Sequence, residues 1–106
     1  MRPMTELQMH VGTISAVELF PEARKPAYKL TIDFGPLGVK RSSAQITVLY
    51  APDDLVGRQI VAVTSYPPKR IAGFVSEVLV CGVDDAEGRV VLLRPNSPVP
   101  NGQRVY

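Results

Sequence analysis

Apolar and polar residues alternate with a period of two over Ala27–Phe34, where Tyr28, Leu30, Ile32 and Phe34 are separated by Lys29, Thr31 and Asp33. Successive strand side chains point to opposite sides, so this alternation predicts a strand with one buried and one wet face. Val11–Phe20 predicts a long first strand closed by Pro21. Val39–Ala44 predicts a third, entered from the turn Gly35-Pro36-Leu37-Gly38. Gln59–Ser65 predicts a fourth, stopped by Pro67-Pro68 because neither proline can donate to a ladder. Phe74–Val83 and Arg89–Leu93 add two more around a turn at Asp84–Gly88. Gln45–Tyr50 fits either a strand continuation or one helical turn. Ala51-Pro52-Asp53-Asp54 breaks it, and Gly57 ends the loop.

Six short strands with regular turns and at most one short helix after the third strand predict an all-β fold. A five- to six-stranded Greek-key barrel over residues 11–93 is the natural size, followed by a proline-rich tail over 95–106. The oligonucleotide-binding (OB) fold is one such barrel, and composition alone does not separate it from an SH3-like one. Val, Ile and Thr make up 25 of the 106 residues, and such stiff side chains suit a pleated surface. Ten prolines exclude a helical bundle. At this length residues 1–106 form one domain.

Composition then narrows the chemistry. The chain holds one Cys (Cys81) and one His (His10), which excludes an internal disulfide and a Cys/His zinc cluster and argues against a Cys–His or Ser–His–Asp catalytic set. Cys81 follows Val78-Leu79-Val80 and reads as a buried, reduced thiol. No apolar run is long enough to span a bilayer, and Met1–Leu7 lacks the apolar region of a signal peptide, so the expected location is the cytoplasm. Asp53-Asp54 and Asp84-Asp85 lie in turns beside Pro or Gly, where Asp serves backbone hydrogen bonding rather than a metal. No phosphate-loop, dinucleotide or nucleophile-elbow motif occurs. The expectation is a non-catalytic protein without cofactor or metal.

Two segments depart from strand-and-turn text: Lys40-Arg41-Ser42-Ser43-Ala44-Gln45 and Tyr66-Pro67-Pro68-Lys69-Arg70-Ile71-Ala72-Gly73-Phe74. Lys40, Arg41, Lys69 and Arg70 hold a third of the 12 Lys and Arg residues, although the net charge is only +2. Cations bind phosphates, Ser and Gln bond phosphate or sugar oxygens, and exposed aromatics stack on bases. The plain alternative is that the charged pairs solubilise two loops and that Tyr66 and Phe74 pack in the core.

These segments also carry a resemblance. Val11-Gly12-Thr13-Ile14, Phe20-Pro21-Glu22-Ala23-Arg24 and Tyr28–Gly35 resemble the opening of the stand-alone tRNA-binding domain family. That family includes C-terminal modules of some methionyl- and tyrosyl-tRNA synthetases and the endothelial monocyte-activating polypeptide. Lys40–Thr47, Pro67–Phe74, Ser76–Val80 and Pro98–Gly102 resemble its bacterial CsaA subgroup, described as secretion chaperones with a tRNA-binding domain. The resemblance implies an OB barrel, a homodimer and no catalysis. It implies binding of tRNA by backbone and shape or, alternatively, of unfolded polypeptides or preproteins as an export-related chaperone. By matching position it picks out Lys40, Arg41, Ser42, Ser43, Gln45, Lys69, Arg70, Ser76 and Glu77. Ser65 stands where the family usually has Asn, keeping a hydroxyl but losing the amide's paired donor and acceptor. A second copy would cover the barrel's edges and proline-rich tail; alternatively the tail crosses the base of a single barrel.

Overall fold

Strand β1 (Met9–Leu19) is paired along both edges, in a computed structural model that describes residues 7–106. Six of the seven residues read above for targeting lie outside the described residues. The N-terminal half of β1 pairs antiparallel with β4 (Gln59–Val63), from Met9↔Val63 to Thr13↔Gln59. Its C-terminal half pairs with β2 (Tyr28–Asp33), from Thr13↔Asp33 to Leu19↔Tyr28. The register shifts between Ile14 and Ala16, leaving Ser15 as a bulge. A bulge bends its strand and increases the local twist, which curls the sheet towards closure. β3 (Val39–Ala44) follows β2 through a 3-10 turn at Gly35–Leu37. The sheet runs β3-β2-β1-β4-β7, with β7 at Leu79–Val80, and β10 (Arg104–Val105) pairs with Met9 and His10 of β1. The result is a nearly closed OB-like barrel.

The period-2 pattern becomes the core. Leu30, Ile32 and Phe34 are fully buried with Ile14, Ile60, Leu55 and Val78, each such side chain contributing about 1.5–3 kcal/mol. Gly12 sits where β1 presses on this core: a Cβ there would lie 2.7 Å from Ile32 and 2.8 Å from Phe34. Tyr28 and Tyr50 stitch the open end, Tyr28 donating to the Tyr50 carbonyl at 2.8 Å and the Leu92 N–H donating to the Tyr50 hydroxyl at 3.0 Å.

Four departures from the sequence reading have physical causes. Gln45–Tyr50 forms neither strand nor helix; the helical turn is α1 (Pro52–Leu55), inside the segment read as a breaker. Pro52 opens α1 because a first helical turn needs no N–H there, and the Asp54 carboxylate accepts from Ala51 N–H at 3.0 Å. Phe74–Val83 divides into β6 (Phe74–Ser76), β7 and β8 (Gly82–Asp84), the last paired with β9 (Val90–Leu92). It divides because Glu77 crosses to β3 and Cys81 crosses between Val61 and Leu93. Lys69–Ile71 is strand β5, a hairpin with β6 where the sequence offered a loop. Cys81 is partly exposed rather than buried, and what burial it has pushes its thiol pKa up.

The tail crosses the base of its own barrel. Gly102 N–H donates to Val11 O at 2.7 Å, Val11 N–H to Gln103 O at 2.9 Å, and Thr13 to the Asn101 side chain at 2.7 Å. The Gln59 amide both donates to and accepts from the Val99 backbone, at 2.7 and 3.1 Å. Gly102 has φ 94°, and a Cβ there would meet Phe34 O at 2.7 Å. Asp85 caps its turn as the sequence suggested, accepting from Glu87 and Arg89 N–H at 2.9 Å; its carboxyl is held below the usual range, chiefly by the Arg89 backbone bond. Among the described residues no helix is long and apolar enough to cross a membrane.

Two tests follow from this packing. Gly12→Ala must displace Ile32 or Phe34 and should cost about 1–3 kcal/mol in urea unfolding; a loss below a few tenths would contradict the close approach. His10 is buried and meets Thr64 Oγ1 at 2.6 Å through Nδ1. Its pKa is lowered, first by burial and then by the Arg104 charge. The unfolded chain therefore takes up a proton first as pH falls past about 6.5, so stability drops on acidification from there until the folded pKa is passed. The melting temperature should fall between pH 7.5 and 5.5 in the parent, and fall less in His10→Gln.

Candidate nucleic-acid interface

The outer face of β1-β2-β3 alternates against the core. Leu30, Ser42 and Ala44 point inward, while Glu18, Lys29, Arg41 and Ser43 point outward. The β5–β6 hairpin folds onto this outer face. Phe74 is its anchor, buried against Phe20 with ring centroids 5.5 Å apart and planes at 63°, an edge-to-face pair. Ala23, Ala27 and Ile71 complete this second, smaller apolar cluster. Two cations flank the aromatic pair: the Lys29 ammonium lies 4.9 Å from the Phe20 centroid, and the Arg41 guanidinium 4.7 Å from that of Phe74. Arg41 also pairs with Glu18 at 3.1 Å, and its Nε is buried without a hydrogen-bond partner, under the hairpin.

Polar bonds fasten the same joint. Glu77 brackets Arg41, its N–H donating to Arg41 O at 2.8 Å and its carboxylate accepting from Arg41 N–H at 2.9 Å. The Ser76 hydroxyl accepts from Ser43 N–H at 3.1 Å and donates to Val78 O at 3.3 Å. The hairpin turn is Ala72-Gly73, with φ 48° and 84°, as a type I′ connection demands at both central residues. Ala in that conformation is strained by about 1 kcal/mol or more.

Between the hairpin, the β1–β2 loop and the end of β3 lies a cleft of about 520 Å³. Its walls are Glu22, Ala23, Arg24 and Lys25 on one side, Lys69, Arg70, Ile71 and Ala72 on the other, with Ser43 and Gln45 on the β3 side. Four cations face one carboxylate, and among the described residues the ion pairs engage only Arg41 and Arg89. Cations without ion pairs among the described residues, Arg70 donating to Gly73 O at 3.4 Å, stand beside a hydroxyl and an amide and suit phosphate oxygens.

The structure thus sorts the residues singled out in the sequence. Lys69, Arg70, Ser43 and Gln45 come together in the cleft. Arg41, Ser76 and Glu77 build the joint beneath it. Ser42 is fully buried in the barrel, donating to Ser43 O, and is closed to a ligand. Lys40 shares the Ser42 side of β3 and does not line the cleft. Ser65 lies apart, its hydroxyl accepting from Gln8 N–H at 3.0 Å. Arg24 and Lys25 line the cleft and were missed. They stand between Pro21 and Pro26 in a loop, and only the unforeseen hairpin makes that loop a wall. Among the described residues no group of three His, Cys, Asp or Glu could hold a metal.

An OB-like barrel with a cationic cleft between its β5–β6 hairpin, the β1–β2 loop and the end of β3 has the architecture of the oligonucleotide-binding modules. Residues 9–104 match the profile of the tRNA binding domain, and the chain belongs to that family. It is 54% identical to the CsaA chaperone of Bacillus anthracis, with a TM-score of 0.92, covering 99% of this chain and 96% of that one. It is 46% identical to the CsaA chaperone of Picrophilus torridus, with a TM-score of 0.90 and the same coverages. These neighbours mark it as a CsaA-type member. It is also 33% identical over 100 residues to the methionine–tRNA ligase of Porphyromonas gingivalis, which matches 94% of this chain but only 14% of the ligase.

The turn gives a direct test of the cleft wall. Ala72→Asn replaces a strained residue by one that tolerates positive φ and should raise stability by up to about 1 kcal/mol. Gly73→Val should lower the urea midpoint. Equal midpoints for all three proteins would contradict the turn assignment.

Proposed function

We propose that the chain is a non-catalytic, cytoplasmic module that works as a homodimer and holds tRNA by its phosphate backbone and shape. The observation that carries this reading is the cleft itself: Arg24, Lys25, Lys69 and Arg70 converge on one side of an OB-like barrel with a single carboxylate, Glu22, among them. Phosphate contacts of this kind position a nucleic acid without reading its sequence. Ser43 and Gln45 supply hydrogen bonds to phosphate or ribose oxygens. Membership of the tRNA binding domain family supports tRNA as the RNA in question. Exposed Leu79, Val83 and Leu93, along β7, β8 and the end of β9, offer apolar area to a second copy. A dimer doubles the cationic clefts, and two sites on one polyanion gain from effective concentration.

A second reading, a chaperone for unfolded polypeptides or preproteins, has its own observation. An apolar cleft of about 310 Å³ adjoins the cationic one across the β1–β2 loop, lined by Leu19, Pro21, Pro26 and Thr47, and Leu19 is 68% exposed. Apolar binding there would survive high salt, whereas phosphate binding would not.

The deciding experiment is tRNA retention across a salt series, with an unfolded peptide as competitor. The parent should lose affinity steeply as salt rises, and Lys69→Ala with Arg70→Ala should weaken binding and reduce the log–log salt slope by about 2. Salt-independent retention that the peptide abolishes would instead establish the chaperone reading.

A further inference from the structure

A third cleft, of about 340 Å³, lies where the α1–β4 loop meets the segment after β9. Arg58, Arg94, Asn96 and Ser97 line it, and no carboxylate does. Arg58 is held in place: its guanidinium lies 5.1 Å from the Tyr50 ring centroid, and its Nε donates to Asp54 O at 3.5 Å. Both terminal nitrogens are left for another partner. The carboxylate of Asp54 is turned away, accepting from Ala51 N–H at the start of α1. Neither Arg58 nor Arg94 has an ion pair among the described residues.

The floor of the cleft is rigid. Gln59 is fixed to Val99 through two hydrogen bonds and donates to Asn101 at 3.1 Å, so the strap carrying Asn96 and Ser97 is tied to β4. We propose that this cleft is a phosphate-binding site, with Arg58 and Arg94 supplying charge and Ser97 and Asn96 supplying hydrogen-bond donors. A preorganised guanidinium beside small polar groups matches the planar, bidentate recognition of phosphate oxygens. The site is separate from the cationic cleft described above. Gln59 pairs with Thr13 on β1, whereas the first cleft lies near the Leu19 end, a span of roughly 20 Å along the strand. One phosphodiester chain crossing the barrel could engage both; a free phosphate or nucleotide is small enough to occupy this one by itself.

Titration of the 15N-labelled full chain with inorganic phosphate, against sodium chloride at matched ionic strength, decides the matter. Saturable shifts are expected at the Asn96 and Ser97 amides and at Arg58 Nε–H. They should persist in Lys69→Ala/Arg70→Ala and vanish in Arg94→Gln, an exposed position whose change leaves the fold intact. Absence of saturation, or identical shifts in Arg94→Gln, would overturn the proposal. A second arm identifies the source of the phosphate and rests on the tRNA reading. If it is an RNA strand, residual tRNA binding by Lys69→Ala/Arg70→Ala is lost on adding Arg94→Gln; if it is a free phosphate, that binding is unchanged although the added Arg94→Gln abolishes the phosphate shifts. Failure of the parent to bind tRNA would overturn the preceding reading, and the phosphate titration would still decide this one.

Discussion

Everything in this barrel hangs on one strand that is hydrogen-bonded along both edges. β1 meets β4 with its first half and β2 with its second, and Thr13 faces Gln59 on one side and Asp33 on the other. A flat strand could not serve both neighbours of a small closed sheet. The bulge at Ser15 changes its direction, and Gly12 leaves room for Ile32 and Phe34 where a Cβ would collide with both. The same bend brings the end of β1, and with it Phe20, onto the outside of the barrel.

Phe20 there receives Phe74, and the cleft is a consequence of that contact. A three-residue-per-strand hairpin has almost no stability alone, since an isolated two-stranded hairpin is marginal in water. Burial of Phe74, the flanking Lys29 and Arg41 charges and the Glu77 and Ser76 bonds to β3 together fix it in place. The cations therefore divide by role. Lys29 and Arg41 face aromatic rings and hold the wall, while Arg24, Lys25, Lys69 and Arg70 stand along it without an ion pair among the described residues. A field of that sign in a narrow cleft attracts a polyanion despite the small net charge of the whole chain.

Much of the barrel was legible because its strands are half-buried, which writes a period of two into the sequence. Tyr28 to Phe34 is the clearest case. Ser42 and Lys40 were grouped with the site because sequence proximity does not reveal which side of a pleat a residue occupies, and Ser65 entered only through its matching position in the family, at a bend beyond the end of β4. Alternation along β3 puts Arg41 and Ser43 outside and Ser42 inside. The β5–β6 hairpin was illegible for another reason. Its turn is Ala-Gly rather than Asn-Gly, and its strands are three residues long, below the length at which a period can be recognised. Arg24 and Lys25 were lost with it, because their role depends on a neighbour distant in the chain. The short helix at Pro52 was concealed by reading proline as a terminator where it opens a first turn.

The most direct measure of the central claim, that the cationic cleft is where RNA binds, is backbone hydrogen exchange of the full chain with and without bulk tRNA. Slowed exchange is expected in the 22–25 loop and the 69–74 hairpin, weakening as salt is raised. Protection confined to other surfaces, with these two segments unchanged while tRNA is bound, would contradict it.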